Sequence, residues 1–328
     1  MRALDIALEE WSLREPLRIA RETFHLNRLV LVTLAEAGAV GRGECCPTGH
    51  YGETPASVIA QIESVRPAIE AGAGRDELAG LLPPGAARNA LDCALWDLEA
   101  KRSRRTIWEL AGIPRPQSVV SAVTIFIDDP AVMARHARRV ADCPMLKVKL
   151  SGQGSLELER LAEVRNAAPR ARLIVDANEA WDADLFTDLA PRLAALGVEL
   201  LEQPLRAGAD GVLEQVTRPL AVAADESCHT TEDLAGLVGR YDVVNIKLDK
   251  TGGLTEALRL AAEARRLGLG VMVGCMGGSS LAMAPAMVVA ALADVADLDA
   301  PLLQARDREH AIRYASGVMH GYTGDLWG

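Results

Sequence analysis

The runs MLKVKL (145–150), LIVDAN (173–178), ELLEQPL (199–205), VAADES (222–227) and VVNIKLDK (243–250) decide how this chain folds. Each is a short β-branched or apolar stretch that ends in, or is followed by, a charge: Lys149, Asp176, Glu202, Asp225 and Lys247. The charges recur at intervals of 22 to 27 residues. Evenly spaced strands that each end in a charge describe one mouth of a parallel barrel, the face on which barrel enzymes keep their chemistry.

The same alternation extends in both directions. Strands are expected at 120–126, 145–150, 172–176, 199–202, 221–224, 243–247 and 270–274. Between them lie helical stretches rich in Ala, Leu, Arg and Glu, such as SLELERLAEVRNAA (155–168) and GLTEALRLAAEARRLG (253–268). Seven or eight such units predict an α/β fold, a TIM-type (β/α)7-8 barrel domain over 116–301. Its last unit, 279–298, shows no clear strand before ADLDAP (296–301).

Upstream the pattern differs. LDIALEEWSL (4–13) and RLVLVTLAEAGAVGRGE (28–44) alternate like antiparallel strands, the second turning at Glu36-Ala37-Gly38. REPLRIARETFHLN (14–27) between them reads as a loop, and 54–71 and 86–112 read as helices. Strands followed by helices predict a separate α+β capping domain over 1–115, left through the proline-bearing IPRPQSVV (113–120). The tail, 302–328, is expected to return to that domain.

Composition narrows the function. Of 328 residues, 49% are hydrophobic and 24% charged, as in an ordinary globular protein. A formal net charge of −10 argues against nucleic acid or an anionic membrane as partner. The six cysteines form no C-x-x-C pair and no disulfide pattern. With an N-terminus that lacks an apolar signal core, they point to a cytoplasmic protein. The longest apolar run, Leu281 to Ala293, contains Pro285 and is too short to span a bilayer. Nothing in the chain decides between a monomer and a homo-oligomer.

In a strand, alternate residues share a face, so Lys147 and Lys149 project together into the barrel. Two inward lysines are costly without counter-charge, which Asp176, Glu202 and Asp225 supply on the next three strands. Three converging carboxylates repel unless a cation binds or some protonate. They are the hard oxygen donors that Mg²⁺ takes. An internal ion-pair network is the structural alternative. A lysine on either side of such a site suits removal of a proton next to a carboxylate. One lysine takes the proton and the other returns it to the opposite face, which is racemisation or epimerisation. A Schiff-base lysine would need only one of these amines and no carboxylate trio.

These motifs resemble the enolase superfamily in its muconate-lactonizing subgroup, and within it the dipeptide epimerases of the L-Ala-D/L-Glu type. The resemblance spans essentially the whole chain. It is carried by GRGECCPTGHYGE (41–53), GAARNALDCALWDLEAK (85–101), LKVKL (146–150), LIVDANEAW (173–181), LLEQPL (200–205), ADESCHT (224–230) and VNIKLDKTGGLTEAL (244–258). It implies Asp176, Glu202 and Asp225 as ligands of one Mg²⁺ per subunit, with Mn²⁺ as a substitute. It implies Lys149 and Lys247 as the acid/base pair, and Lys147 as the group that holds the substrate carboxylate. Asp297 and Asp299 match the Asp-x-Asp that binds a dipeptide's α-ammonium, which favours an epimerase over the subgroup's cycloisomerases and o-succinylbenzoate synthases.

The chain departs from the epimerase pattern in two places. RETFHLN (21–27) carries Phe24 and His25 where those epimerases place an arginine for the side-chain carboxylate of Glu. GCMGGSSLAMA (274–284) carries glycines where bulkier residues are expected. Phe24, His25, Tyr51 and Met276 are therefore the expected shapers of the substrate pocket. Asn178 and Asp249, each two residues beyond a site residue, are candidates to support it. Cys228-His229 is read as an ordinary loop pair.

Overall fold

The computed structural model describes all of residues 1–328. A three-stranded antiparallel sheet opens the chain: β1 (Ala3–Arg18), β2 (Thr23–Glu36) and β3 (Ala39–Cys45). The β2–β3 turn lies at Ala37 and Gly38, both with positive φ (51° and 81°). The stretch expected as a loop, 14–27, is instead the far half of the β1–β2 hairpin. Pairing lapses after Ser12 and resumes at Leu17, opposite Phe24. The polar, poorly periodic sequence there reflects a ribbon with few buried side chains, so alternation could not mark it as strand.

Four helices follow: α1 (Pro55–Ala71) and α3 (Ala86–Ser103) pack on this sheet, and α2 (Arg75–Leu81) and α4 (Ile107–Ala111) pack on α3. The helix expected over 86–112 is broken at Arg104, which takes φ 55°. Thr106 then caps α4 by accepting from the Glu109 amide at 3.3 Å. The buried helix α3 packs tightly on β3. A Cβ on Gly43 would lie 2.0 Å from the Ala90 carbonyl oxygen, so only glycine allows the approach.

The chain then runs through β4 (Ser118–Val120) into eight parallel strands. They are β5 (Val123–Ile125), β6 (Met145–Lys149), β7 (Arg172–Asp176), β8 (Val198–Glu202), β9 (Ala221–Ala224), β10 (Val243–Lys247), β11 (Gly270–Gly274) and β12 (Val295–Asp297). They pair in chain order, and the Ala122 amide bonds the Ala296 carbonyl at 2.8 Å to bring the sheet's two edges together. The strand expected at 120–126 is thus two. β4 leaves the barrel to pair with β14 (Val318–His320), itself hairpinned to β13 (Tyr314–Ala315). The strand missing from the last unit is β12, only three residues long.

The helical layer is uneven. Full helices α5 (Pro130–Arg139), α6 (Ser155–Ala167) and α7 (Ala183–Ala195) follow β5 to β7. Only a 3₁₀ turn follows β8, and the four-residue α8 (Leu234–Leu237) follows β9. The short α9 (Leu248–Thr251) leads into α10 (Leu254–Arg266), and α11 (Ser280–Ala290) and α12 (Ala300–Leu303) close the series.

Inside the barrel, the two-residue period stacks the side chains in layers. Met145, Ile174, Leu200, Ala223 and Met272 form an apolar floor with Ala122. The residues two further along, from Lys147 through Asp176, Glu202, Asp225 and Asn245 to Gly274, face the same interior one layer higher. The tail packs first on the barrel, where Tyr314 and Tyr322 hydroxyls donate to the Leu298 and Ala284 carbonyls. It ends on the cap, with Trp327 Nε1 3.1 Å from the carbonyl oxygens of both Arg42 and Cys93.

Candidate active site

The mouth carries two sets of ion pairs. Lys147 Nζ lies 2.7 Å from Glu202, 2.7 Å from Asp297 and 3.1 Å from Asp176. Lys149 Nζ lies 2.5 Å from Asp176 and 3.1 Å from Asn178 Oδ1. Lys247 Nζ lies 2.6 Å from Asp225 Oδ2. β6 is the second strand of the barrel and β10 the sixth, so the two lysines rise from opposite walls. Asp176, Glu202 and Asp225 fill the arc between them, and all three are fully buried.

Burial alone would raise each carboxyl's pKa. At Asp176 the ammonium groups of Lys149 and Lys147 outweigh burial, and at Asp225 those of Lys247 and Lys250 do. Both acids stay well below the ordinary carboxylate range. Glu202 has no such surplus: burial and the Asp176 charge push it up to about 8. Its Oε2 also lacks a hydrogen bond, although Lys147 lies in ion-pair range. Glu202 is thus the carboxyl whose charge the lysines stabilise least, and three carboxyls converging on one point offer the hard oxygen donors that a divalent cation takes.

On the other arc, Asp297 keeps one oxygen without a hydrogen-bond partner. Asp299 accepts from the Thr124 amide at 2.7 Å, and burial and Asp297 push it up to about 7. The strand between this pair and Lys247 presents Gly274. A Cβ there would lie 2.8 Å from Asn245 Oδ1 and 3.1 Å from Lys247 Cε, so glycine leaves that lysine room. Gly277 similarly admits Asn27 of the cap, whose Nδ2 would lie 2.6 Å from an added Cβ. The unexpected glycines of this loop thus serve close packing around the mouth.

A cavity of about 220 Å³ lies between barrel mouth and cap. Lys147, Lys149, Lys247, Asp297 and Asp299 line it from the barrel, with Met276 from the loop after β11. Leu17, Ile19, Arg21 and Phe24 close it from the hairpin. His25 does not reach it: it alternates with Phe24 on β2 and is exposed. Tyr51 also turns aside and packs its ring on His229 at 4.7 Å, leaving Thr48, Gly49 and His50 as the wall.

Of the two supporting candidates, Asn178 does touch Lys149. Asp249 does not share the face of Lys247, because the strand ends there and α9 begins. It reaches the cap instead, accepting from Asn89 at 2.8 Å and from the Cys46 amide at 3.2 Å. Cys228 is buried and its thiol is pushed up to about 12, which leaves it no nucleophile.

Sequence reasoning missed three groups. Asn245 donates to Glu202 at 2.8 Å, and its position two before Lys247 on β10 could have revealed it. Lys250, wholly buried, bonds Asp225 Oδ1 at 2.7 Å. Arg21 pairs with Glu226 at 2.8 Å and Glu179 at 2.9 Å, far apart in sequence. His50, Glu179 and Glu226 gather donors within 4.8 Å of one another, but Arg21 already supplies the positive charge there.

A capped parallel barrel with lysines on opposing walls and a carboxylate arc between them is an enolase-type architecture. Residues 1–112 match the N-terminal domain model of the mandelate racemase / muconate lactonizing enzymes, and residues 132–320 match the enolase C-terminal domain-like model. The chain belongs to this family. It is 48% identical to the L-Ala-D/L-Glu epimerase of Escherichia coli over 98% of this chain and 100% of that one. It is 44% identical to the N-acetyl-D-glutamate racemase of a Pseudoalteromonas species, over 92% and 95% of the two chains. Among solved structures, an enolase family member from Agrobacterium tumefaciens with homology to dipeptide epimerases, holding sodium and L-Ala-L-Glu, superposes with a TM-score of 0.97. It shares 46% identity and covers 100% of both chains.

Proposed function

We propose that this protein is a Mg²⁺-dependent dipeptide epimerase that inverts the α-carbon of the C-terminal residue, with L-Ala-D/L-Glu or a related dipeptide as substrate. The observation that carries this reading is the opposition of Lys149 and Lys247 across the buried carboxylate arc. Asp176, Glu202 and Asp225 would hold the metal ion. When bound, it neutralises the trio, stabilises negative charge growing on the substrate carboxylate and weakens the hold of the acids on the lysines.

The protein's own groups do the rest. Lys149 takes the α-proton from one face of the substrate, and Lys247 delivers a proton to the other. The reverse reaction exchanges these roles. Lys147 secures the substrate carboxylate at the centre of the mouth. The unpartnered oxygen of Asp297, with Asp299, receives the α-ammonium. Phe24, Met276 and the hairpin residues Leu17 and Ile19 cover the reacting carbon and exclude water.

The Pseudoalteromonas relative raises an N-acylated glutamate as a rival substrate. Two buried acids at the amine end suit a charged ammonium better than a neutral amide. The deciding experiment incubates the purified protein with Mg²⁺ in D₂O against a dipeptide set and N-acetylglutamate. Mass gain at one carbon, with the configuration of that carbon inverted and no other bond changed, is the expected result for the dipeptide. Gain only with N-acetylglutamate would transfer the assignment. A changed carbon skeleton would indicate a cycloisomerase or an o-succinylbenzoate synthase. EDTA should abolish turnover, and Mg²⁺ or Mn²⁺ should restore it.

No helix is long and apolar enough to cross a membrane. All six cysteines are free, which supports a reducing, cytoplasmic setting. There the enzyme would serve the recycling of peptidoglycan-derived peptides.

A further inference from the structure

The two lysines are secured from different directions. Lys247 rests on Asp225, and Lys250 holds the other oxygen of Asp225 at 2.7 Å. Lys250 is wholly buried and also donates to the Asn245 carbonyl at 3.1 Å. The groups in this chain of contacts belong to the turn after β9, to β10 and to α9.

Lys149 is held by Asp176 and by the side chain of Asn178. Asn178 and Glu179 both take left-handed backbone, at φ 43° and 65°. Two consecutive non-glycine residues in that region cost about 1–3 kcal/mol each and persist only where surrounding contacts impose them. Some of these contacts are made within the barrel, where the Asn178 amide donates to Asp176 at 2.8 Å and the Glu179 amide to the Gln203 carbonyl at 2.9 Å; the others reach in from the cap. Arg21 Nη1 donates to the Asn178 carbonyl at 3.2 Å, to Glu179 at 2.9 Å and to Glu226 at 2.8 Å. Glu226 in turn accepts from the Asn178 side-chain amide at 3.4 Å, and His50 pairs with Glu179 at 3.1 Å. Arg21 sits at the tip of the β1–β2 hairpin, and His50 lies in the cap loop after β3.

We propose that Arg21 is a positioning residue for Lys149 far more than for Lys247: by binding Glu226, Glu179 and the Asn178 carbonyl, the hairpin tip fixes the amide that orients this lysine. Proton transfer on the Lys149 face then depends on a seated hairpin, whereas the contacts of Lys247 and Lys250 do not involve the hairpin tip. This rests on the epimerase reading. Without Arg21, the buried Glu226 loses its counter-charge beside Asp176 and Asp225, and Asn178 loses the contact from the hairpin tip to its strained turn.

The test measures loss of the α-proton to D₂O separately from each epimer of L-Ala-Glu, with Mg²⁺ present and before product accumulates. Net epimerisation must fall equally in both directions, because the equilibrium constant is fixed, so only the washout separates the faces. Lys149→Ala identifies the epimer that Lys149 deprotonates, as the one that stops exchanging. Arg21→Met should slow washout from that epimer by roughly tenfold to a hundredfold, the scale of a misplaced catalytic group. Washout from the other epimer should stay within about threefold by the same argument. Arg21→Lys should recover part of the loss, and Glu226→Gln should reproduce the asymmetry without altering the hairpin. Thermal unfolding of each variant reports whether the fold survives. Equal slowing of both epimers, or slowing of neither, overturns the inference. A parent protein that exchanges neither epimer, nor any other dipeptide, refutes the epimerase reading itself.

Discussion

The Lys149 wall and the Lys247 wall use the same element, a five-residue parallel strand with its lysine at the carboxyl end. They differ in what stands behind the lysine. Behind Lys247 is Lys250, a second, wholly buried ammonium that locks Asp225 from below. Behind Lys149 is a strained turn that takes partners from both the barrel and the hairpin tip. The ion pairs of Lys247 and Lys250 are buried within the barrel. Those beside the Asn178 turn span barrel and cap. A symmetric reaction can therefore be run by an asymmetric frame, each half with its own sensitivity.

Replacing the lysines is the harshest way to break this comparison. Lys149→Ala and Lys247→Ala should each cut net epimerisation by about a thousandfold or more, the scale of losing a general acid or base. Each should still exchange the proton of the epimer served by the remaining lysine. Exchange from neither epimer in both variants would mean that the lysines do not act on separate faces.

Removing the buried support behind Lys247 should be felt in stability as well as rate. Lys250→Met leaves Asp225 one charge short in the barrel interior and should lower unfolding free energy by about 3–5 kcal/mol. Urea denaturation measures this. Asn178→Gly, on the other wall, should cost stability little, because glycine takes the left-handed backbone without strain as the side-chain contacts are lost. Similar losses in the two variants would erase the distinction between the walls.

A subtler probe narrows the space around Lys247. Gly274→Ala adds a carbon 2.8 Å from Asn245 and 3.1 Å from Lys247. It should slow washout from the Lys247-served epimer by roughly tenfold while leaving the Lys149-served one nearly unchanged.

The smallest effect concerns pH. Asp249 joins the Lys247 wall to the cap, and burial pushes its carboxyl up to about 7 from an ordinary 3.8. The folded protein then holds a proton that the unfolded chain has released, so stability falls as pH rises between these two values. Asp249→Asn keeps an acceptor for Asn89 and the Cys46 amide and carries no charge. It should raise the melting temperature by a few degrees at pH 8 and leave it unchanged near pH 4. A shift of the same size at both pH values would show that the carboxyl is not the cause.

Much of the site could be read from residues alone because strand geometry is local. Once a five-residue run is a strand, parity places Lys147 with Lys149, and its carboxyl end places Asp176, Glu202 and Lys247 at one mouth. Parity also explains the failures. It misplaced Asp249, because the chain turns helical one residue after Lys247. It kept His25 in the pocket only while 14–27 was taken for a loop. As part of β2, His25 must face away from Phe24.

The barrel, the cap and the charges that ring the mouth were legible in the residues, since hydrophobic period and strand-end position are properties of a few neighbours in the chain. How each lysine is held was not. Arg21 meets Asn178 and Glu226 across 157 and 205 residues of chain. No pattern within one segment encodes that meeting. It follows from where the hairpin tip lands when the cap docks on the barrel.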